Sequence, residues 1–483
     1  MKVLRTILLA LLLIVVLIAI GGFVLFNDLT RGPLPKIDGE IRISGLQDTV
    51  TVKRDDWGVP HIYATNMHDL LFAQGYTQAQ DRWWQMEFFR ATGDGRLQEL
   101  TGRNDELMGN DVFIRTIGWR RAAERDLAET LTDDDKVMLQ AFTDGINAYI
   151  GGKSGGDLAL DYSLLGVNGV TIPVREWTLG DTVVWQKVMA WDLSDGMYDI
   201  SRAELIDTLG EDLYEGVNPA YPFDRNPTII QPDVAIPTEA SLTTNTLNAD
   251  EVASVEGYAS ADLSFAGNLT VGTHFAFGEG EGLGSNNWVV SGDLTESGMP
   301  LLANDPHLGI QMPSIWYEIG LHCRPRTDEC PMDVQGFTFG PFPGVVIGHN
   351  DRIAWGFTNV GPDVMDLYTI TVNPDNPLQY EWDGEWRDMT VHDEVIRLGD
   401  SDETITIQVR ETHLGPIIND NQLGDDNLPS GFNNDNPLAL RWTALDPGRT
   451  IMGIFGLNTA QNWEEFRAAA SLFDAPSQNL VFA

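Results

Sequence analysis

Apolar and polar positions along this chain fall into four successive regimes. Residues 7–26 are an unbroken apolar run behind Lys2 and Arg5. Such a run matches the ~20 residues that cross a bilayer as a helix and exceeds the ~7–15 of a cleavable signal core. No A-x-A-like cleavage site follows it, so residues 1–27 are expected to be an uncleaved anchor, with the positive end inside and the body exported. A cleaved signal peptide is the alternative, which would leave a periplasmic or extracellular protein. From 28 to 222 the apolar spacing is mainly helical, with helices expected over 70–100 (broken near Gly93-Asp94-Gly95), 134–150 and 182–193. Trp83, Trp84, Phe88 and Phe89 read as core residues of the first of these rather than as a cofactor box.

Periodicity then fades. Residues 223–284 are rich in Thr, Ala, Asn, Ser, Gly and acid, with no Lys or Arg after Arg225. This composition predicts a loosely packed spacer. Beyond it, from 285 to 483, strand-like runs dominate: 288–291, 345–347, 353–358, 367–372 and 404–409, with a helix near 463–472. Helices before the spacer and strands after it predict an α+β layered domain.

Composition narrows the partners. The chain carries 71 acidic and 30 basic side chains, a formal charge of −41. That charge argues against nucleic acid or an anionic membrane surface as a partner. Lysine is scarce, which fits either adaptation to high salt or an exported protein with an acidic face. Export would allow Cys323 and Cys330 to close a short-loop disulfide, two free thiols being the alternative. Two cysteines are too few for a cysteine zinc site, and no H-E-x-x-H spacing occurs.

The candidate chemistry sits where the spacer ends, at Gly284-Ser285-Asn286-Asn287-Trp288. Were the Gly284–Ser285 bond to break, Ser285 would carry a hydroxyl and a free α-amine on one residue. An α-amine titrates at about 8, so it can act as general base for its own hydroxyl. The five letters alone also fit a turn entering a strand. A rival serine motif, Gly152-Lys153-Ser154-Gly155-Gly156, lacks the preceding strand that a nucleophile elbow requires, and no S-x-x-K occurs.

The wider pattern decides between these readings. Arg54-Asp55-Asp56-Trp57-Gly58-Val59-Pro60-His61-Ile62, then Gly75-Tyr76, Gln80-Asp81-Arg82-Trp83-Trp84-Gln85-Met86-Glu87 and Gly95-Arg96-Leu97-Gln98-Glu99-Leu100 resemble the α-chain signature of the penicillin acylase family. After Ser285 the resemblance continues through Asn304-Asp305-Pro306-His307, Pro343-Gly344, Gly348-His349-Asn350 and Ala354-Trp355-Gly356. It runs from about Ile41 to the last residue, with the spacer unmatched.

This resemblance implies the αββα sandwich of N-terminal-nucleophile hydrolases. It makes 223–284 a propeptide and Ser285 the nucleophile both of its own release from Gly284 and of amide hydrolysis. His307, where the aryl-acetyl acylases tend to carry Gln and the cephalosporin and acyl-homoserine-lactone acylases carry His, would tune the terminal amine. The backbone N–H of Val360, or of Asn359, would be an oxyanion donor. Asp199, Asp363 and Asp366, with the Met365 carbonyl, would hold a structural calcium ion; no organic cofactor is implied. Met189, Leu193, Leu308 and Ile347 would line the acyl pocket, and as none is aromatic an aliphatic acyl group is expected over phenylacetyl. The expected partners are a small N-acylated substrate, the chain's own α and β halves after cleavage, and the membrane. An inactive member serving as a cell-surface binding module is the alternative. The family's later side-chain oxyanion Asn and catalytic Arg have no counterpart before Ala483. On that ground the sandwich and the β chain (285–483) are expected to be truncated at the C-terminus, ending in an exposed apolar strand.

Overall fold

The computed structural model describes residues 2–194, 198–219, 222, 225–226, 284–361, 363–399, 402–424 and 428–483. The apolar N-terminus forms one helix, Lys2–Arg31, whose described side chains are largely exposed. Over Leu4–Arg31 it is long and apolar enough to cross a membrane, a test that signal sequences also pass.

A seven-stranded sheet organises the rest. Its strands are β1 (Thr51–Arg54), β2 (Pro60–Ala64), β5 (Trp316–Cys323), β6 (Asp333–Phe339), β7 (Ile347–Asn350), β8 (Ala354–Asn359) and Gln478–Phe482, in that spatial order. β2 runs parallel to β5, and every other neighbouring pair is antiparallel. The first two strands thus come from the segment before the spacer and the rest from the segment after it, so both halves of the chain share one sheet. The closing strand Gln478–Phe482 pairs along one side with β8 and stands last in the sheet, so its other edge has no strand partner among the described residues. Two further strands, β3 (Gly284–Val290) and β4 (Leu301–His307), form a hairpin beside β8.

The helix Met67–Gly93 packs against Asp133–Ile150 through a double glycine notch. A Cβ on Gly75 would stand 2.1 Å from the Phe142 carbonyl oxygen, and one on Gly145 would stand 1.8 Å from that of Phe72. No other residue allows the backbones to approach so closely. The same helix is tied to the loop between β6 and β7 by polar side chains. Gln74 exchanges two hydrogen bonds of 3.0 Å with the backbone of Gly344, and the Gln78 amide donates to the carbonyls of Phe339 and Gly340. Arg54 clasps Asp81 through two nitrogens at 2.8 and 2.9 Å, and the Tyr317 hydroxyl donates to the same carboxylate at 2.6 Å. Trp83 and Phe89 are buried in the main core, as the helical spacing requires.

Predicted elements recur with shifted ends. The helices observed are Met67–Gly93, Asp133–Ile150 and Leu179–Asp192, and the break near Gly93 is real. The strand expected from Trp288 reaches back through Ser285 to Gly284. The strand expected over 345–347 is displaced to Ile347–Asn350, because the backbone of Val345 is taken by the side-chain amide of Asn458 at 2.8 and 2.6 Å. Cys323 and Cys330 form the disulfide. The proposed spacer, apart from Gly284 and two residues near its start, lies outside the described residues. Ser154 caps a short helix and donates to Asp157 at 2.6 Å, a structural use that leaves no nucleophile elbow there.

Candidate active site

The hairpin of β3 and β4 sets Ser285 opposite Pro306 and Gly284 opposite His307. Cross-strand partners share a face and successive residues alternate, so Ser285 and Pro306 point one way and His307 the other. Ser285 and Pro306 indeed both line one cavity of about 80 Å³. The Ser285 hydroxyl donates to the carbonyl oxygen of Gly284 at 2.6 Å. The nucleophile candidate is therefore folded back on the bond that would have to break.

All four residues expected to form the acyl pocket line this same cavity: Met189, Leu193, Leu308 and Ile347. They come from three regions. Leu308 follows β4 directly, and Ile347 begins β7. Met189 and Leu193 lie on the helix Leu179–Asp192 and its C-cap, whose start is fixed by a capping box between Thr178 and Asp181. Arg120 reaches Asp181 at 2.8 Å and locks that end of the helix.

The four expected residues, none of them aromatic, are only part of the lining. Trp316, Phe339, Phe342, Phe357 and Phe473 also line the cavity. Inward positions of β5, β6 and β8 converge there, a juxtaposition that linear sequence does not carry. Two of them sit beside motifs already recognised, Phe342 before Pro343-Gly344 and Phe357 after Trp355-Gly356, which was the available signal. Gln186, one turn before Met189, lines the cavity too and was not anticipated.

The oxyanion candidates lie at the end of β8. Asn359 lines the cavity. Its side-chain oxygen accepts from the Val360 N–H at 3.1 Å and from Gln478 at 2.9 Å. The Val360 donor is thus held by a neighbouring side chain in this state, and Val360 itself is exposed. His307 bonds to Asp305 at 3.1 Å, and no hydrogen bond joins it to Ser285.

Of the expected calcium ligands, Asp363 and Asp366 are exposed and Met365 is a buried residue of β9 (Met365–Thr369). Burial of its carboxyl raises the pKa of Asp366, and the charge of Asp363 raises it further. The two carboxylates are thus close enough to repel, the situation a cation relieves. The Asp199 side chain lies outside the described residues, and among those described no group of three His, Cys, Asp or Glu stands close enough to hold a metal ion.

The sequence profile of the penicillin amidase family matches residues 49–483. The acyl-homoserine lactone acylase QuiP of Pseudomonas aeruginosa is 28% identical over 470 residues, covering 95% of this chain and 50% of that protein. The penicillin G acylase of Escherichia coli is 28% identical over 400 residues, covering 77% and 46%. A solved structure, the thermostable penicillin G acylase from Alcaligenes faecalis in its orthorhombic form, is 27% identical with a TM-score of 0.34, covering 41% of this chain and 33% of that one. The chain spans about half the length of the curated relatives it matches. With the profile running from before β1 to the final residue, this chain belongs to the penicillin amidase family.

Proposed function

We propose that this chain belongs to an acylase that matures by self-cleavage and hydrolyses the amide bond of an N-acylated small molecule through an acyl-Ser285 intermediate. The carrying observation is that Ser285 lines an apolar cavity while its hydroxyl rests 2.6 Å from the Gly284 carbonyl oxygen. In the precursor the Ser285 oxygen attacks the Gly284 carbonyl carbon. The C–N bond breaks, an ester forms, and the nitrogen leaves as the α-amine of Ser285. Water then hydrolyses the ester, releasing the Gly284 carboxylate and restoring the hydroxyl. In the mature enzyme that amine takes the hydroxyl proton as the oxygen attacks a substrate carbonyl and returns it to the departing amine, and water resolves the acyl ester.

The supporting set follows from the same reading. The Val360 N–H, freed from the Asn359 side chain, or a donor from Asn359 stabilises the oxyanion. His307 acts on the terminal amine. Asp363, Asp366, the Met365 carbonyl and Asp199 hold calcium, which supplies rigidity beside the end of β8. The fold is the αββα sandwich, processed into α and β chains, and exported behind the Lys2–Arg31 helix as anchor or signal. Relatives named as acyl-homoserine lactone and penicillin acylases support the reaction class. The test is N-terminal sequencing of the expressed protein with an amide panel: a fragment beginning at Ser285 and release of free acid are expected. An intact chain that nonetheless hydrolyses amides would overturn the proposal.

A further inference from the structure

The cavity beside Ser285 is mostly apolar, and among its polar side chains that of Gln186 stands apart. Gln186 is only 5% exposed, lines the cavity, and its side chain makes no hydrogen bond to any described residue. Of the other polar groups of the wall, the indole N–H of Trp316 is buried and unpaired among the described residues, and the rest are engaged. The Thr450 hydroxyl donates to the Ala475 carbonyl at 3.1 Å and accepts from the Asp474 N–H at 2.9 Å. Gln478 donates to Asn359, whose oxygen also accepts from Val360. Ser285 donates to Gly284. Gln186 is not a surface residue that happens to reach inward. It occupies one helix face with Met189 and Leu193, three and seven residues on. That face runs from half-buried Leu193 inward, so Gln186 stands roughly 10 Å further along the helix, at 1.5 Å per residue.

An amide facing a mostly apolar cavity is costly unless a ligand or solvent pairs it, and a Leu there would avoid that cost. A site whose polar group is left unpaired by the wrong ligand discriminates strongly for the ligand that pairs it. We infer that Gln186 is a specificity-determining residue that recognises an oxygen substituent, a hydroxyl or keto group, carried within the acyl chain of the substrate. The carboxamide both donates and accepts, so it serves either group. The inference rests on the acylase reading above for the identity of the acyl chain, and on the cavity alone for the polar contact.

The test compares pairs of amides with one common leaving amine. One member of each pair has a plain alkyl acyl chain, and the other has the same length with a hydroxyl or keto oxygen placed at successive carbons. At one position of the oxygen, kcat/KM should exceed that of the plain chain by about tenfold or more, the size of one well-made buried hydrogen bond. Gln186→Leu should bring that ratio to about one, with processing at Ser285 and the melting temperature checked to establish folding. A second readout is independent of turnover: binding of the corresponding free acids to Ser285→Ala, with and without Gln186→Leu. Ratios that stay equal with and without the Gln186→Leu substitution in both assays would overturn the inference. Loss of all amide turnover with the binding preference intact would sink the acylase reading while leaving the polar contact standing.

Discussion

Asn304 pairs with Phe357 as if its side chain were one more residue of backbone. Its amide nitrogen donates to the Phe357 carbonyl at 2.8 Å, and the Phe357 N–H donates to its side-chain oxygen at 2.9 Å. The same amide nitrogen reaches the Asn286 carbonyl at 3.3 Å, one residue after Ser285. One side chain thus ties both strands of the nucleophile hairpin to β8, the strand that ends in Asn359. Gly356 makes room for it, since a Cβ there would stand 2.6 Å from the Asn304 side-chain oxygen.

Asn304→Ala should therefore loosen the hairpin as a unit. It leaves the backbone groups of Phe357 unpaired, a loss of about 1–3 kcal/mol for a buried group. We expect slower self-cleavage and a lower Tm, and Gly356→Ala should reproduce both by forcing Asn304 aside. Time courses of processing on denaturing gels measure the effect. Wild-type processing rates in both variants would mean that the hairpin is held by other contacts.

Removal of the Ser285 hydroxyl should separate folding from chemistry. Ser285→Ala is expected to leave one unprocessed chain with no amidase turnover and an unchanged circular dichroism spectrum. The reason is local: among the described residues the hydroxyl's one hydrogen bond is to the adjacent carbonyl, on a partly exposed strand. Intact mass spectrometry checks the first point. Efficient cleavage of the alanine variant would remove Ser285 from the mechanism.

How much of this was legible beforehand depends on the range of the interactions. The Met67–Gly93 helix, its end near Gly93 and the later strands were readable because apolar period and glycine placement are local signals. Ser285, Met189, Leu193, Leu308 and Ile347 were named through family resemblance, and the structure brings all five to one cavity. What stayed hidden is long-range. Phe339 and Phe473 reach the cavity from segments far apart in sequence, and neither reads as more than core. The partner of Asn304 could not be read from its own motif, because Phe357 lies 53 positions on. Gln186 resembled any polar residue of a helix until its neighbours were placed.

Filling the cavity should spare processing and block substrate. Met189 is 5% exposed and lines the cavity, whose volume is about 80 Å³. Met189→Trp would occupy that space with an indole. Self-cleavage, which needs only the hairpin, should proceed, while turnover of long-chain amides should fall by about 10-fold or more as binding in the pocket is lost. Kinetics on short and long acyl amides after confirmed processing provide the measurement. Undiminished long-chain turnover would place the acyl group elsewhere.

Calcium and pH should act on one pair of carboxylates in opposite directions. Burial holds the Asp366 carboxyl above its ordinary pKa, and Asp363 adds to the shift. A carboxyl raised in the folded state binds its proton more tightly there than when unfolded. Without metal, the pair therefore lowers stability as pH rises through the interval between the unfolded and folded values, and the penalty is relieved on acidification. A bound calcium ion requires both groups ionised, so its stabilisation grows as pH rises through the same interval. Melting curves with calcium and with chelator should diverge towards neutral pH and converge in acid. Asp363→Ala combined with Asp366→Ala should close the gap at neutral pH and, in chelator, lose the acid-side gain due to this pair. Identical curves with and without calcium across the whole range would exclude a calcium site at Asp363 and Asp366.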